Sequence, residues 1–318
     1  MSIATAVVPT LETVRSAGTL RTVVSRGIRG LSFQTAGGLW SGLDVDIARA
    51  VAAATIGDAM AVTWLPTDPA RRLDRLIGDD ADLVTSNLSW TLGREAGGSV
   101  LFPGVIAYDG EGFLVRAADG FDTPEQLAGR RLAIQAGTTS AANLNAWYGS
   151  RGLSVQPVTY ATPADALAGY VHGECAAYVL DRMALAGERA ALPDAAAHRI
   201  LTEMISREPM AMAVRDDDPA WFRVCRWVLN FLFAAEHAAA QASTVGRAAA
   251  LDAVAGTAGV NGPNLGLDEA WARRVLAAVG TYGDIYDRNL GPSSGLDIPR
   301  GMNELWTRGG LHYALPLH

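Results

Sequence analysis

Short apolar runs alternate with longer segments of helical period along most of the chain. The apolar runs predict strands at Leu20–Val24, Ala61–Leu65, Asp82–Ser86, Gly112–Arg116, Arg131–Gln135, Ala176–Leu180 and Met210–Arg215. The segments of helical period predict helices at Leu43–Ile56, Pro69–Ile77, Thr139–Tyr148, Pro163–Val171, Arg182–Arg189, Pro219–Gln241 and Asp268–Val279. Because strands and helices alternate, we expect βαβ units and an α/β protein with a mostly parallel sheet.

The order of these elements favours two lobes. A polar, loop-like segment at residues 117–124 separates one set of strands and helices from the next. We expect two strands, near residues 110–116 and 207–214, to cross between the lobes as a hinge. The predicted division is residues 10–112 plus 213–318 for the first lobe, with a C-terminal extension from about 257, 113–212 for the second lobe, and 1–9 for a flexible N-terminus.

Three places at strand ends carry chemistry suited to a free α-amino acid. Residues 132–144 form a buried strand, a glycine turn and a helix start, where Thr138 and Thr139 accompany N–H groups that favour an anion. A second segment that can bind an anion spans residues 87–94, and Asp181 follows a third apolar strand. An arginine with hydroxyl groups suits a carboxylate, and an acid suits an ammonium.

Each candidate also has a purely structural interpretation. Arg94 could pair with Glu95 at the surface, the two threonines could simply cap their helix, and Asp181 could cap the helix after it. Asp44 and Asp46 are better explained as charges at a helix start than as metal ligands.

Composition narrows the class of function. The chain has 318 residues, 49% of them hydrophobic, and a net charge of −7, which suits about two globular domains and argues against a nucleic-acid surface. The sequence contains no Lys, which excludes a lysine Schiff base with pyridoxal phosphate and a Walker lysine. Because the five His show no ligand spacing, we expect no metal and no cofactor. The apolar helix at 219–240 carries charges, so we expect no membrane insertion.

The termini and cysteines bear on location. The first ten residues lack a basic region, so we expect no signal peptide, and hence a cytoplasmic protein unless a signal has been removed and the protein is periplasmic. Cys175 and Cys225 show no pattern of a disulfide framework, and Cys225 lies in an apolar helix that predicts a core position.

Seven segments, in this order, carry a family resemblance: Trp40–Asp46, Ser89–Arg94, Tyr108–Phe113, Gln135–Thr139, Ile205–Pro209, Tyr282–Tyr286 and Arg300–Gly310. Together they make the chain resemble the substrate-binding proteins of general L-amino-acid ABC transporters, almost from end to end. The resemblance implies a two-lobed periplasmic-binding-protein type II fold, a monomer that closes over its ligand, and an ABC permease as partner if the protein is exported.

The resemblance also implies roles for single residues. Arg94 would grip the ligand α-carboxylate, helped by Thr138 and Thr139, because a guanidinium binds a carboxylate bidentately. Asp181 would take the α-ammonium. The other candidate ligand-binding residues beside the cleft are Ser86, Asn87, Ser89 and Arg182.

The chain departs from the family at several positions. The family commonly has cysteines at the positions of Thr22, Ala48, Ala133 and Cys175, so neither family disulfide can form, which fits a reducing compartment. The family also tends to have Arg in place of Ser86 and Gln in place of Glu111 and Arg182.

Two functions are therefore compatible with the sequence. In the first, the protein binds a free amino acid, or an amino-acid-like zwitterion, without chemistry. In the alternative, a cytoplasmic, cofactor-independent enzyme on the same fold carries out an elimination, dehydration or cyclisation on an amino-acid-derived substrate in biosynthesis, and Glu111 moves a proton.

Overall fold

A computed structural model describes residues 9–242 and 246–318, so the predicted flexible N-terminus at 1–9 falls almost wholly outside the described residues. The strands are β1 (Leu20–Val24), β2 (Phe33–Gln34), β3 (Trp40–Ser41), β4 (Val62–Pro66), β5 (Leu83–Ser89), β6 (Val100–Asp109), β7 (Glu111–Arg116), β8 (Arg131–Gln135), β9 (Gln156–Tyr160), β10 (Ala177–Asp181), β11 (His198–Ile200) and β12 (Glu208–Arg215). The α-helices are α1 (Thr10–Ala17), α2 (Leu43–Thr55), α3 (Arg72–Ile77), α4 (Leu92–Glu95), α5 (Ser140–Gly149), α6 (Pro163–Val171), α7 (Arg182–Ala191), α8 (Pro219–Ala240), α9 (Arg247–Val260), α10 (Trp271–Val279) and α11 (Tyr282–Asn289).

Two five-stranded sheets organise the molecule. The first has the order β4-β1-β5-β12-β6 and the second the order β11-β7-β10-β8-β9. In each sheet two neighbouring pairs are parallel and two are antiparallel. Four of the five strands in each sheet nevertheless run in one direction, as the prediction of a mostly parallel sheet requires, and β12 and β7 are the strands that run against the others. The fold is the predicted two-lobed α/β type, and each sheet with its helices is called a lobe below.

The chain passes between the sheets twice. It leaves the first sheet after β6 and enters the second at β7 through Gly110, and it returns between β11 and β12 through residues 201–207. The predicted lobe boundaries at residues 112 and 212 fall inside β7 and β12, each of which lies in a single sheet. The precise division into lobes stays a prediction.

Most predicted elements appear, with ends displaced by a few residues. β1, β8 and α6 have the predicted bounds, whereas β6, β9, α1, α9 and α11 were not predicted. The predicted helix Pro69–Ile77 is a 3₁₀ turn, Pro69–Arg71, followed by α3, and the helix expected from Asp268 begins at Trp271. The expected extension from residue 257 starts within α9.

The helices after α8 complete the first lobe. α9 and α10 pack against each other, α9 also packs on α8, and α10 packs on α2. Asn303, beyond α11, donates to the carbonyl oxygen of Tyr108 at 2.8 Å and accepts from its N–H at 2.7 Å, which ties the chain end to β6. Both cysteines are free thiols with buried side chains, Cys175 ahead of β10 and Cys225 on α8.

Candidate functional site

A cavity of about 470 Å³ lies between the lobes. It is bordered by the carboxyl ends of the parallel strands of both sheets, where ligands bind in open α/β folds. Its lining residues are Ser25, Arg26, Gly27, Ile28, Thr67, Asp68, Pro69, Arg72, Asn87, Ser89 and Arg94 from the first lobe, and Gln135, Thr138, Thr139, Ser140, Thr162, Pro163, Ala164, Leu167, Leu180, Asp181 and Glu188 from the second. The volume falls within the range of small-molecule sites.

Arg94 enters the cavity from the short helix α4, which Thr91 caps. Its Nη1 donates to the carbonyl oxygen of Ser89 at 2.6 Å, which fixes the direction of the guanidinium. The other N–H groups of this guanidinium make no hydrogen bond to another described residue. Burial lowers the pKa of Arg94, and the charges of Glu208 and Asp181 offset part of that effect. Arg94 therefore has free donors for an anion.

The two threonines lie at the start of α5, and the side chain of Thr139, the N-cap residue, makes no capping hydrogen bond. The Thr138 hydroxyl donates to the carbonyl oxygen of Gln135 at 2.8 Å, and the Thr139 hydroxyl donates to Oε1 of Glu208 at 3.2 Å. The simple capping interpretation is therefore wrong for Thr139, whereas the Thr138 hydroxyl also accepts from the N–H of Ser140, the first residue of α5, at 3.4 Å. Both threonines line the cavity from the second lobe, and Arg94 lines it from the first.

Asp181 ends β10 and lines the same cavity. One side-chain donor reaches its carboxylate, Nδ2 of Asn87 at 3.2 Å, and this bond joins the two lobes. Burial raises the pKa of Asp181 well above the ordinary range, and the charges of Asp109 and Glu208 add to the effect. A cation beside this carboxylate would restore its ionised form.

Arg72 places a second guanidinium in the cavity wall, next to Ser86. Its Nη1 donates to the carbonyl oxygen of Ser86 at 2.6 Å, and its Nε has no partner among the described residues. Burial, and next the charge of Arg94, lower the pKa of Arg72 to about 9. Asp44 lies nearby and accepts from the N–H of Asn87 at 3.0 Å, where Asn87 has a left-handed φ of 37°.

Glu208 lies behind the cavity and joins both lobes. Its carboxylate accepts from Asn143 at 2.7 Å, Ser206 at 2.8 Å and Thr139 at 3.2 Å, and also from the hydroxyl of Ser89. Charged acceptors make stronger hydrogen bonds than neutral ones. This carboxylate therefore holds the first turn of α5 against the end of β5.

Three of the predicted site residues lie outside the cavity lining. The backbone carbonyl of Ser86 accepts from Arg72, and the side chain of Arg182 packs over Gly112. Glu111 is buried beside Asn143, whose Nδ2 donates to it at 2.9 Å, and burial raises the pKa of Glu111 to about 7. The remaining predicted residues, Arg94, Thr138, Thr139, Asp181, Ser89 and Asn87, all line the cavity.

Among the residues that received no role from the sequence, Arg72, Gln135 and Glu188 line the cavity and Glu208 lies behind it. Gln135 ends β8 in the segment that carries the resemblance, and Glu208 lies in another such segment, so both could have been proposed. Glu188 follows Asp181 by seven residues, two helical turns, and therefore shares its face of α7.

In the part of the chain that the structure describes, no group of three or more His, Cys, Asp or Glu is arranged to hold a metal ion. Within residues 9–242 and 246–318, none of the helices combines the length and apolar character needed to cross a bilayer.

Two lobes that meet over a cavity at their strand ends define the class of two-lobed solute-binding proteins. The chain belongs to the bacterial extracellular solute-binding proteins, family 3, whose model matches residues 20–244. The family and fold that the resemblance implied are thereby confirmed.

Individual relatives match over nearly the whole chain. The glutamate/glutamine/aspartate/asparagine-binding protein BztA of Rhodobacter capsulatus is 34% identical, with 96% of this chain and 93% of that protein covered. The general L-amino acid-binding periplasmic protein AapJ of Rhizobium johnstonii is 34% identical, with 97% and 92% covered. An ABC transporter periplasmic binding protein from Brucella ovis, solved with glutathione bound, has a TM-score of 0.90 and 35% identity, with 98% of this chain and 100% of that chain covered. None of these matches supports the cytoplasmic prediction.

Proposed function

We propose that the protein binds a free amino acid, or an amino-acid-like zwitterion, between its lobes and delivers it to an ABC permease. The proposal rests on one observation: Arg94 from one lobe and Asp181 from the other line the same cavity. A guanidinium with free donors suits the α-carboxylate, and a carboxylate with one neutral partner suits the α-ammonium.

The relatives support the permease, because the Brucella ovis protein is an ABC transporter binding protein by its name, and they support a location outside the cytoplasm. BztA and AapJ are amino-acid-binding proteins by name, AapJ is periplasmic, and the matching family is extracellular. We infer that this chain also acts outside the cytoplasm and delivers its amino acid to an ABC permease.

Catalysis remains a prediction without support from the cavity. Glu111, the acid assigned to proton transfer, does not line the cavity, and its carboxylate is engaged by Asn143. The proposal therefore requires no chemical step.

The test is calorimetric titration of the protein, refolded from denaturant to remove any bound ligand, with a panel of L-amino acids. We expect binding with no new product by mass spectrometry. Arg94→Ala should weaken binding about 10- to 100-fold, because a hydrogen bond to a charged group contributes about 1.5–3 kcal/mol. The matched control is Arg223→Ala, since Arg223 is exposed on α8.

Two results would count against the proposal. Equal affinity in wild type and Arg94→Ala would remove the carboxylate assignment. Conversion of a bound amino acid into a product would favour the enzyme alternative, and its loss in Glu111→Gln would assign the step to Glu111.

A further inference from the structure

The cavity has a second acidic end, formed by Glu188 on α7. Asp181 directly precedes this helix, and Glu188 follows it by seven residues. Two helical turns separate them by about 10 Å along the helix axis and keep both on one face. The two acids therefore mark two separate points along the same cavity wall.

The Glu188 carboxylate has no partner of opposite charge among the described residues. This half-buried carboxylate makes no ion pair or hydrogen bond with any residue from 9–242 or 246–318. Burial raises its pKa to about 7, and no neighbouring cation offsets that effect. Of the arginines that line the cavity, Arg26 pairs with Asp68 at 2.8 Å, while Arg72 and Arg94 are held by carbonyl groups at the end of β5.

The first lobe also approaches α7 close to Glu188. Gly187, next to Glu188, lies so near residue 29 that an added Cβ would be 2.4 Å from the carbonyl oxygen of Arg29. Ile28 therefore belongs to the wall that faces this part of α7. Glu188 is enclosed by both lobes.

Apolar residues also line the cavity: Ile28, Pro69, Pro163, Ala164, Leu167 and Leu180. Such walls suit methylene groups, since apolar surface gains free energy on leaving water. A ligand that fits has an α-amino acid head, an aliphatic stem and a terminal group that can neutralise a carboxylate.

We infer that Glu188 is the specificity-determining residue for a ligand with a cationic side chain, so that the protein takes basic L-amino acids. The inference rests on the proposed function, in which Asp181 holds the α-ammonium. A neutral side chain would leave the Glu188 carboxylate without a partner, and an acidic one would repel it, so discrimination arises from an unpaired buried charge.

The test compares ligands of nearly equal shape that differ in charge. Calorimetric titration of wild type with L-arginine against L-citrulline, and with L-lysine against L-norleucine, should show at least about tenfold tighter binding of the cationic member. Glu188→Gln should reduce each ratio to about one while citrulline affinity stays within about twofold. The control is Glu203→Gln, an equal change of charge at an exposed position in the segment that connects the second lobe to the first.

The possible outcomes distinguish a failure of the role assigned to Glu188 from a failure of the proposed function. Equal affinities for arginine and citrulline in wild type, a preference that survives Glu188→Gln, or tighter binding of glutamate or glutathione than of arginine would each overturn the role of Glu188. Wild-type protein that binds none of the amino acids would overturn the proposed function itself. The wild-type ratios decide whether the protein prefers a cationic side chain even if Glu188→Gln fails to fold.

Discussion

The carboxylates behind the cavity and those on its wall differ in how many donors they meet. Glu208, behind the cavity, accepts from four side chains of both lobes, whereas Asp181 accepts from one and Glu188 from none of the described residues. Buried polar groups in stable structure are usually fully satisfied. The comparison teaches that a satisfied acid here is structural, whereas an unsatisfied one on the cavity wall is available to a ligand.

The sharpest way to break this comparison is Glu208→Ala. It leaves Ser89, Thr139, Asn143 and Ser206 without their shared acceptor, so the free energy of unfolding should fall by about 3 kcal/mol. Urea denaturation of the ligand-free protein measures the change.

The cavity wall supplies the opposite case. Glu188→Gln removes an uncompensated charge and should leave stability unchanged or raise it. If Glu208→Ala proved neutral and Glu188→Gln strongly destabilising, the distinction between the two regions would be wrong. The exposed Glu203→Ala controls for loss of an acid in general.

A smaller effect is expected from Gly187→Ala, which tests whether closure of the lobes contributes to ligand binding. A Cβ at this position would meet the carbonyl oxygen of Arg29 in the other lobe, whereas alanine is a better helix former than glycine by about 1 kcal/mol. We expect unchanged or higher stability of the ligand-free protein and about tenfold weaker ligand binding by calorimetry.

The matched control for closure is Gly149→Ala, at the end of α5, where an added Cβ would meet no atom within 4 Å. It should leave affinity unchanged. Equal affinity in Gly187→Ala and wild type would mean that the ligand is held without this approach of the lobes.

The smallest effect concerns pH and Glu111, which lies behind the cavity but has a pKa raised to about 7 by burial. A glutamate in the unfolded chain has a pKa of about 4.3. Between about pH 4 and 7 the folded state therefore holds a proton that the unfolded state has released. This group therefore lowers stability as pH rises through that window.

Glu111→Gln removes this titration and keeps an acceptor for Asn143. Relative to wild type, the variant should gain about 1 kcal/mol in the free energy of unfolding between pH 6 and pH 7.5, as measured by urea denaturation at both values. The same gain in Glu203→Gln, or none in Glu111→Gln, would contradict the assignment to Glu111.

The fold was predictable where local chemistry is clear. α6 has the predicted bounds because Thr162 caps it and Pro163 occupies its first position, and β1 is a short segment that ends in three β-branched residues, Thr22–Val24. β6 was missed because Pro103 and Gly104 interrupt its apolar pattern, and β9 is an edge strand that contains Pro157.

The candidate site was predictable in part for a physical reason. Thr138 and Thr139 lie within four residues of the end of β8, and Asp181 ends β10. Strand ends of one sheet share an edge whatever the packing of the helices. Arg72 and Glu188 reach the cavity from helices, so their positions depend on how those helices pack and on how the lobes meet. No sequence spacing specifies that arrangement.

The seclusion of the two thiols has a practical consequence. Cys175 and Cys225 are both buried, and the sequence contains no other cysteine. A cysteine introduced on the surface of each lobe would thus be the preferred site for a maleimide dye. Energy transfer between two such dyes would follow opening and shutting of the molecule in real time, one particle at a time, with little labelling of the native chain.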